Sequence, residues 1–151
     1  MNAKSLSLAA ISASCYVVLG FVLQSVAFGP VQVRVADALY PLIAVFGWSW
    51  LVGTFLGHLI FNGYGFAAGI ALGSLDLLSP FVFLPAKWLI KRFGLKAVPI
   101  HVLFVAVWVG YLLNSLFGLP FLPTALLVGV GEFVAEIVLG VPVAIAVRKR
   151  L

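Results

Sequence analysis

Apolar residues run through this chain in long continuous stretches, and polar residues are confined mainly to short segments between them. The first stretch covers about residues 6–28, and the last covers about residues 124–147. Continuous apolar runs, as opposed to alternating ones, predict helices and not the strands of a membrane barrel. A helix needs about 20 apolar residues to cross a bilayer. The pattern therefore predicts an all-α integral membrane protein with several spans.

Composition strengthens this prediction. Hydrophobic residues make up 64% of the 151 residues, and charged residues only 9%. A soluble domain averages about 45–50% apolar and about 25% charged residues. The length allows only about five or six membrane spans. No room is then left for a soluble domain, which excludes a self-contained ATPase.

The basic residues indicate how many spans there are. They lie at Lys4, at Lys87, Lys91, Arg92 and Lys96, and at positions 148–150, beside apolar stretches. This placement is typical of cytoplasmic helix ends, and it argues against nucleic-acid binding despite the net charge of +5. All three groups share one side only if residues 38–61 hold two short spans that turn near the tryptophans. We expect one domain of six spans with both termini cytoplasmic, at about 6–28, 36–47, 49–62, 68–92, 99–117 and 124–147.

Polar residues collect near the outer ends of these spans. Such residues are costly in hydrocarbon, and they usually face a cavity or one another. We therefore expect a single pocket that opens to the outside. The candidate pocket residues are Gln32, Arg34, Asp37, Asn62, Tyr64, Asp76, Asn114 and Glu132.

The chain has only four carboxylates, and each has more than one interpretation. Asp37 follows Arg34 by one helical turn, so the two can form a pair that anchors the helix entrance. Glu132 and Glu136 share a helix face, where two charged carboxylates repel, so one is protonated or paired. We favour a ligand contact for Glu132 and a structural hydrogen bond for Glu136. Asp76 can cap a helix, contact a ligand, or do both.

No metal or cofactor site is expected. His58 and His101 are far apart in sequence, and the six-span arrangement places them on opposite sides of the membrane. A phosphate-binding loop is missing from the sequence, so any ATP must be used by a partner. A membrane-embedded acid–base enzyme using Glu132, Glu136 and Asp76 is the alternative from another class. It lacks an accompanying nucleophile or metal set, so we expect a protein that is not an enzyme.

Small residues recur along the first span at Ser5, Ala9 and Ala13. Small residues at every fourth position let another helix approach closely. That helix can belong to the same bundle or to a second protein that docks on this face.

The segment after the first span reads Gln32-Val33-Arg34-Val35-Ala36-Asp37-Ala38-Leu39. It resembles the Gln-x-Arg-x-(Ser/Ala)-(Glu/Asp)-Ala-Leu signature of the QueT family. That family comprises substrate-binding (S) components of energy-coupling factor (ECF) transporters linked to queuosine-precursor uptake. Similar later motifs are Gly73-x-x-Asp76, Gly131-Glu132 and Gly140-Val141-Pro142, so the likeness covers nearly the whole chain. Asp37 departs from the glutamate of many members.

The resemblance implies a six-helix S component of the cytoplasmic membrane that captures a 7-deazaguanine-type substrate at the outer face. It also implies docking through Ala9 and Ala13 on a transmembrane coupling subunit, which is driven by two ABC ATPases. An S component for another vitamin-like molecule, or a carrier that works alone, is the alternative.

The resemblance also suggests roles for the site residues. Glu132 and Asp76 would accept hydrogen bonds from the N–H donors of the base, or hold the amine of its aminomethyl variant. Arg34 or Gln32 would donate to the carbonyl oxygen, and Tyr64 or a neighbouring aromatic side chain would stack on the ring.

Overall fold

The computed structural model describes residues 2–27, 34–69 and 74–151. Every regular element within these ranges is helical, and they contain no β-strand. The prediction of an all-α fold is confirmed.

In the part of the chain that the structure describes, six main helical stretches, here named α1 to α6, make up the bundle. Three are composite: α2 and α4 begin as 3₁₀-helices, and α6 contains a π-helical segment, Phe133–Gly140, between two α-helical parts. A short helix, Gln24–Ala27, follows α1. The bounds are α1 Ala3–Val22, α2 Val35–Phe46, α3 Trp48–Ala67, α4 74–93, α5 Val98–Phe117 and α6 Phe121–Arg148.

Three helical stretches in the described part of the chain are long and apolar enough to cross a bilayer. They are Ala3–Val22, Ser74–Phe117 and Phe121–Arg148, with Val35–Phe46 as a shorter apolar helix. These lengths and compositions are those of a membrane protein.

The turn between α2 and α3 lies where the tryptophans predicted it. Gly47 has a φ of 65°, a conformation that favours glycine because it has no Cβ, and α3 begins at the next residue, Trp48. The expected end of the third span at about residue 62 is wrong, since α3 continues to Ala67. Asn62 is accommodated within the helix because its Nδ2 donates to the carbonyl oxygen of Asp76, 2.9 Å away.

Helices α1 and α3 pack almost backbone to backbone. A Cβ added to Gly53 would lie 1.8 Å from Ser12 Oγ and 2.2 Å from the carbonyl oxygen of Ala9. A Cβ added to Gly57 would lie 2.8 Å from the carbonyl oxygen of Ala13. Glycines on α3 therefore receive the small-residue face of α1 inside the bundle. Docking of a partner through Ser5, Ala9 and Ala13 stays a prediction.

The π-helical segment of α6 lies directly before Pro142. The N–H of Val141 bonds to the carbonyl of Glu136, five residues back, and Pro142 has no N–H to continue an α-helical ladder. Such segments occur frequently at functional sites. This one lies beside Glu132 and contains Glu136, and both side chains are buried.

Candidate functional site

All four carboxylates of the chain are buried inside the bundle, and none is more than 3% exposed. They come from α2, α4 and α6 and join other buried polar side chains through direct contacts. We call this group the buried polar cluster. Its buried members are Tyr16, Arg34, Asp37, Tyr40, His58, Asn62, Asp76, Ser79, Lys87, His101, Glu132 and Glu136, and the half-buried Trp108 joins it through Ser79.

Asp76 is held in place from several sides. The hydroxyl of Ser79 donates to its Oδ1 at 2.7 Å, and Trp108 Nε1 donates to that hydroxyl at 2.8 Å. Asn62 fixes its backbone carbonyl. Arg34 Nη2 lies 3.9 Å from Asp76 Oδ2, which makes a buried ion pair. These contacts hold the Asp76 carboxylate in one orientation.

A chain of hydrogen bonds runs from Arg34 to Asp37. Arg34 Nη1 lies 2.7 Å from His58 Nε2, and His58 Nδ1 lies 2.8 Å from the hydroxyl of Tyr40. That hydroxyl donates to Tyr16 at 3.1 Å, and Tyr16 donates to Asp37 Oδ1 at 2.5 Å. The chain thus connects a buried cation on one side with a buried carboxylate on the other.

The other two carboxylates lie close to these groups. The carboxyl of Glu132 is within hydrogen-bonding reach of Asp37. Glu136 Oε1 lies 2.7 Å from His101 Nδ1. Lys87 Nζ lies 4.1 Å from the centre of the Tyr40 ring, a cation–π contact. The cluster therefore continues from Arg34 to Glu136 without a break.

Seven buried polar atoms of the cluster have no hydrogen-bond partner among the described residues. Buried polar groups are nearly always hydrogen-bonded, because an unpaired one costs free energy. This concentration makes the buried polar cluster the candidate site for binding a polar molecule. The atoms are Asp37 Oδ2, Asn62 Oδ1, Asp76 Oδ2, Lys87 Nζ, His101 Nε2, Glu132 Oε2 and Glu136 Oε2.

The family model described as QueT transporter matches residues 6–149, nearly the whole chain. The chain belongs to the QueT transporter family. Comparison with curated proteins and with solved structures gave no match. The family is one of membrane transporters, which is consistent with the apolar helices and with a protein that is not an enzyme.

Five of the predicted site residues of this QueT chain come together in the buried polar cluster: Arg34, Asp37, Asn62, Asp76 and Glu132. Gln32 lies outside the described residues.

Tyr64 and Asn114 lie away from the cluster. Tyr64 is exposed, and its ring packs edge-on against Phe21, with 4.5 Å between the ring centres. Asn114 is also exposed, and its Nδ2 donates to the carbonyl of Leu119 at 2.6 Å. That bond stabilises the turn between α5 and α6.

Two statements made from the sequence are wrong. His58 and His101 do not lie on opposite sides, because their ring centres are 6.3 and 4.7 Å from that of Tyr40. Lys87 is not at a helix end but fully buried. It precedes Lys91 by one helical turn, so it lies roughly 6 Å further from the end of α4, and its side chain is in the bundle interior. Both errors arose because the depth of each residue was inferred only from the expected ends of the helices.

Sequence reasoning also missed Tyr16, Tyr40 and Ser79 in this QueT site. Their types are common in transmembrane helices, so composition gave no signal. The buried histidines and Lys87 could have been found, since an ionisable residue within an apolar span marks a functional site by default.

An apolar groove of about 650 Å³ lies elsewhere, between α5 and α6. Its walls are formed by side chains such as Leu103, Val107, Phe121, Leu126 and Val130. It includes no member of the buried polar cluster, so it is not the site of polar recognition in this QueT protein.

Proposed function

We propose that this protein is the S component of an ECF importer and that it captures a 7-deazaguanine-type queuosine precursor at the outer face. QueT family membership supports a transporter. The observation that carries the proposal is the buried polar cluster, where a buried Arg34 is accompanied by four carboxylates with unpaired oxygens. A transporter that captures a polar heterocycle needs such a site inside an apolar bundle.

The chemistry of the base matches these groups. Its pyrimidinone edge presents adjacent N–H donors, which a carboxylate can accept in pairs. Asp76 and Glu132 supply unpaired oxygens for that edge. Arg34 can donate to the carbonyl oxygen of the base, since a guanidinium has five N–H donors and the described contacts use only some of them.

The proposed topology has six spans with both termini in the cytoplasm. Ser74–Phe117 contains 44 residues, about 66 Å of helix, which is roughly twice the hydrocarbon thickness. It turns at Gly94, where φ is 72°, which supports counting it as two spans in this proposal. Phe46, Leu95 and Val147 pack on one apolar core. This shared packing supports a topology in which the basic ends of α4 and α6 lie on the same side, as the positive-inside rule requires.

The proposed partners are a transmembrane coupling subunit and two ABC ATPases. Ala9 is buried against α3, so a partner helix would meet the exposed part of α1. Small residues at Ala10 and Ser14 lie on that exposed part. A coupling helix could approach them closely.

Calorimetric titration of the purified protein in nanodiscs tests the substrate class. The panel is guanine, 7-deazaguanine derivatives and several vitamins. Tight binding of one or more 7-deazaguanines, with no binding of the vitamins, is expected. Binding of a vitamin alone would identify the protein as an S component for that molecule.

Uptake in cells tests the partnership. Accumulation of the substrate should require the coupling subunit and both ATPases, and these proteins should co-purify with the chain. Uptake in cells that lack the ATPases would instead indicate a carrier that works alone.

A further inference from the structure

The groove between α5 and α6 exists because small residues bring the two backbones together. A Cβ added to Gly110 would lie 2.7 Å from the Cβ of Ala125, and one added to Gly129 would lie 3.3 Å from that of Ala106. The two helices are therefore antiparallel, and small residues form the floor of the groove. Its walls are large apolar side chains that remain exposed: Leu103, Val107, Phe121, Leu126 and Val130.

The α5–α6 groove has the size and chemistry to hold one acyl chain of a phospholipid. It extends along α6 from Phe121 to Ile137, about 24 Å of helix, whereas one leaflet of hydrocarbon is about 15 Å thick. Its volume of about 650 Å³ is in the usual range of sites for small molecules. The described residues that line it are all apolar, so the part of a ligand that it accommodates is hydrocarbon.

One end of this groove lies at the turn between α4 and α5. Pro99, at the start of α5, lines the groove, and the exposed Lys96 precedes it by three residues. In the last turn of α4, Lys91 Nζ lies 4.4 Å from the centre of the Trp48 ring. Trp48 is 55% exposed, and exposed tryptophans in membrane proteins favour the headgroup region. The turn that carries Lys96 is therefore at the depth of the lipid headgroups.

The basic residues of this turn have no acidic side chain on the protein surface to balance them. Arg92 and Lys96 are exposed, but all four carboxylates of the sequence are buried inside the bundle. The balancing charge therefore comes from another molecule. At the headgroup depth of a bilayer, the phosphate groups of anionic lipids supply it, and each nearby Lys or Arg strengthens their binding about fivefold.

We propose that an anionic phospholipid binds at this place, with its headgroup at Lys96 and one acyl chain in the α5–α6 groove. Arg92 adds to the positive potential around the headgroup. The acyl chain covers the exposed apolar walls and packs against both helices. This lipid site is independent of the proposed substrate, because the groove contains no member of the buried polar cluster.

Native mass spectrometry tests the lipid preference. The purified protein is released from nanodiscs that contain equal amounts of phosphatidylglycerol and phosphatidylcholine with the same acyl chains. It should retain the anionic phosphatidylglycerol at least about fivefold more often than phosphatidylcholine. Equal retention of the two lipids would overturn the proposal and leave the proposed function standing.

Two matched pairs of variants locate the bound lipid. Lys96→Gln should reduce the preference about fivefold, whereas Lys149→Gln, at the exposed end of α6, should reduce it less than about twofold. Val130→Trp fills the groove from its exposed wall and should lower retention of phosphatidylglycerol about fivefold or more. Val143→Trp, which is exposed and outside the groove, should lower it less than about twofold. An unchanged thermal unfolding midpoint shows that each variant is folded, and equal effects within either pair would overturn the proposal.

Cross-linking distinguishes a lipid from a protein in the groove, and it needs no bulky variant to fold. A photo-reactive amino acid in place of Leu126, on the groove wall, is activated in native membranes. The mass of the protein should increase by that of one phospholipid. An adduct with a second protein would show that a partner covers this groove and would overturn the proposal.

Discussion

Arg34 and His58 are joined side chain to side chain in the bundle interior, with Arg34 Nη1 2.7 Å from His58 Nε2. Because the guanidinium donates, His58 must carry its proton on Nδ1 and donate to the hydroxyl of Tyr40, 2.8 Å away. The hydroxyl of Tyr40 then donates to that of Tyr16, and Tyr16 donates to Asp37. The tautomer of His58 is therefore consistent with a single donor-to-acceptor direction along the whole chain of hydrogen bonds.

Replacing His58 by phenylalanine tests this arrangement. The new ring can keep the stacking on Tyr16, whose centre lies 5.4 Å away, but it removes both nitrogen partners. Arg34 and Tyr40 each lose a buried hydrogen bond, so the free energy of unfolding should fall by about 2–4 kcal/mol. Denaturant unfolding in detergent measures this fall. Ile60→Leu, on the exposed side of α3, is the control and should change little. Unchanged stability of His58→Phe would contradict the arrangement.

The sequence predicted the helical fold well because the strongest signals, apolar length and helix-breaking turns, are local. Gly47 before Trp48 is such a turn. The sequence predicted the helix ends less well where a tertiary contact determines the residue at which a helix ends. Asn62 ends no helix because Asp76 accepts its amide hydrogen, and no local pattern shows that contact.

The rarity of charged residues in the sequence identified the central residues of the site. It did not identify the residues that connect them. Asp76, Glu132, Asp37 and Arg34 stand out in an apolar chain, and they do come together. The position of Tyr40, between the two histidines and under Lys87, follows from helix rotation and depth. Those depend on the packing of all the helices, which the flanking charges alone do not determine.

Substitutions at Asp76 and Asn114 should have different effects on the affinity for the ligand. Asp76→Asn keeps the shape but weakens a carboxylate that is aligned by Ser79 and paired with Arg34, so affinity for the 7-deazaguanine should fall at least about tenfold. Asn114→Ala loses only a turn contact on the exposed end of α5 and should change affinity by less than about twofold. Calorimetry on both variants is the measurement. A larger effect at Asn114 would place the ligand near the α5–α6 turn.

Gly53 and Gly63 on α3 provide a matched pair for packing. Alanine at Gly53 puts a Cβ 1.8 Å from Ser12 Oγ and 2.2 Å from the carbonyl of Ala9, so α1 must move away. The expected loss is about 2 kcal/mol or more in the free energy of unfolding. Alanine at Gly63 meets nothing within 4 Å and should be neutral or stabilise the helix by up to about 1 kcal/mol. Equal effects of the two changes on thermal unfolding would refute the close α1–α3 contact.

Lys87 and Glu136 can be tested as a pair, because removing the charge of one residue leaves the charge of the other without compensation inside the bundle. Lys87→Met keeps most of the volume but removes the cation over Tyr40, which lies within electrostatic range of both Asp37 and Glu136. Breaking a buried pair from one side costs about 3–5 kcal/mol, whereas removing both charges is much less costly. Adding Glu136→Gln to Lys87→Met should therefore restore at least about half of the lost stability. The free energies of unfolding of the four proteins give the coupling directly. Additive losses would show that Lys87 balances a different carboxylate, and Asp37 would then be the one to test, since it also lies within electrostatic range of Lys87.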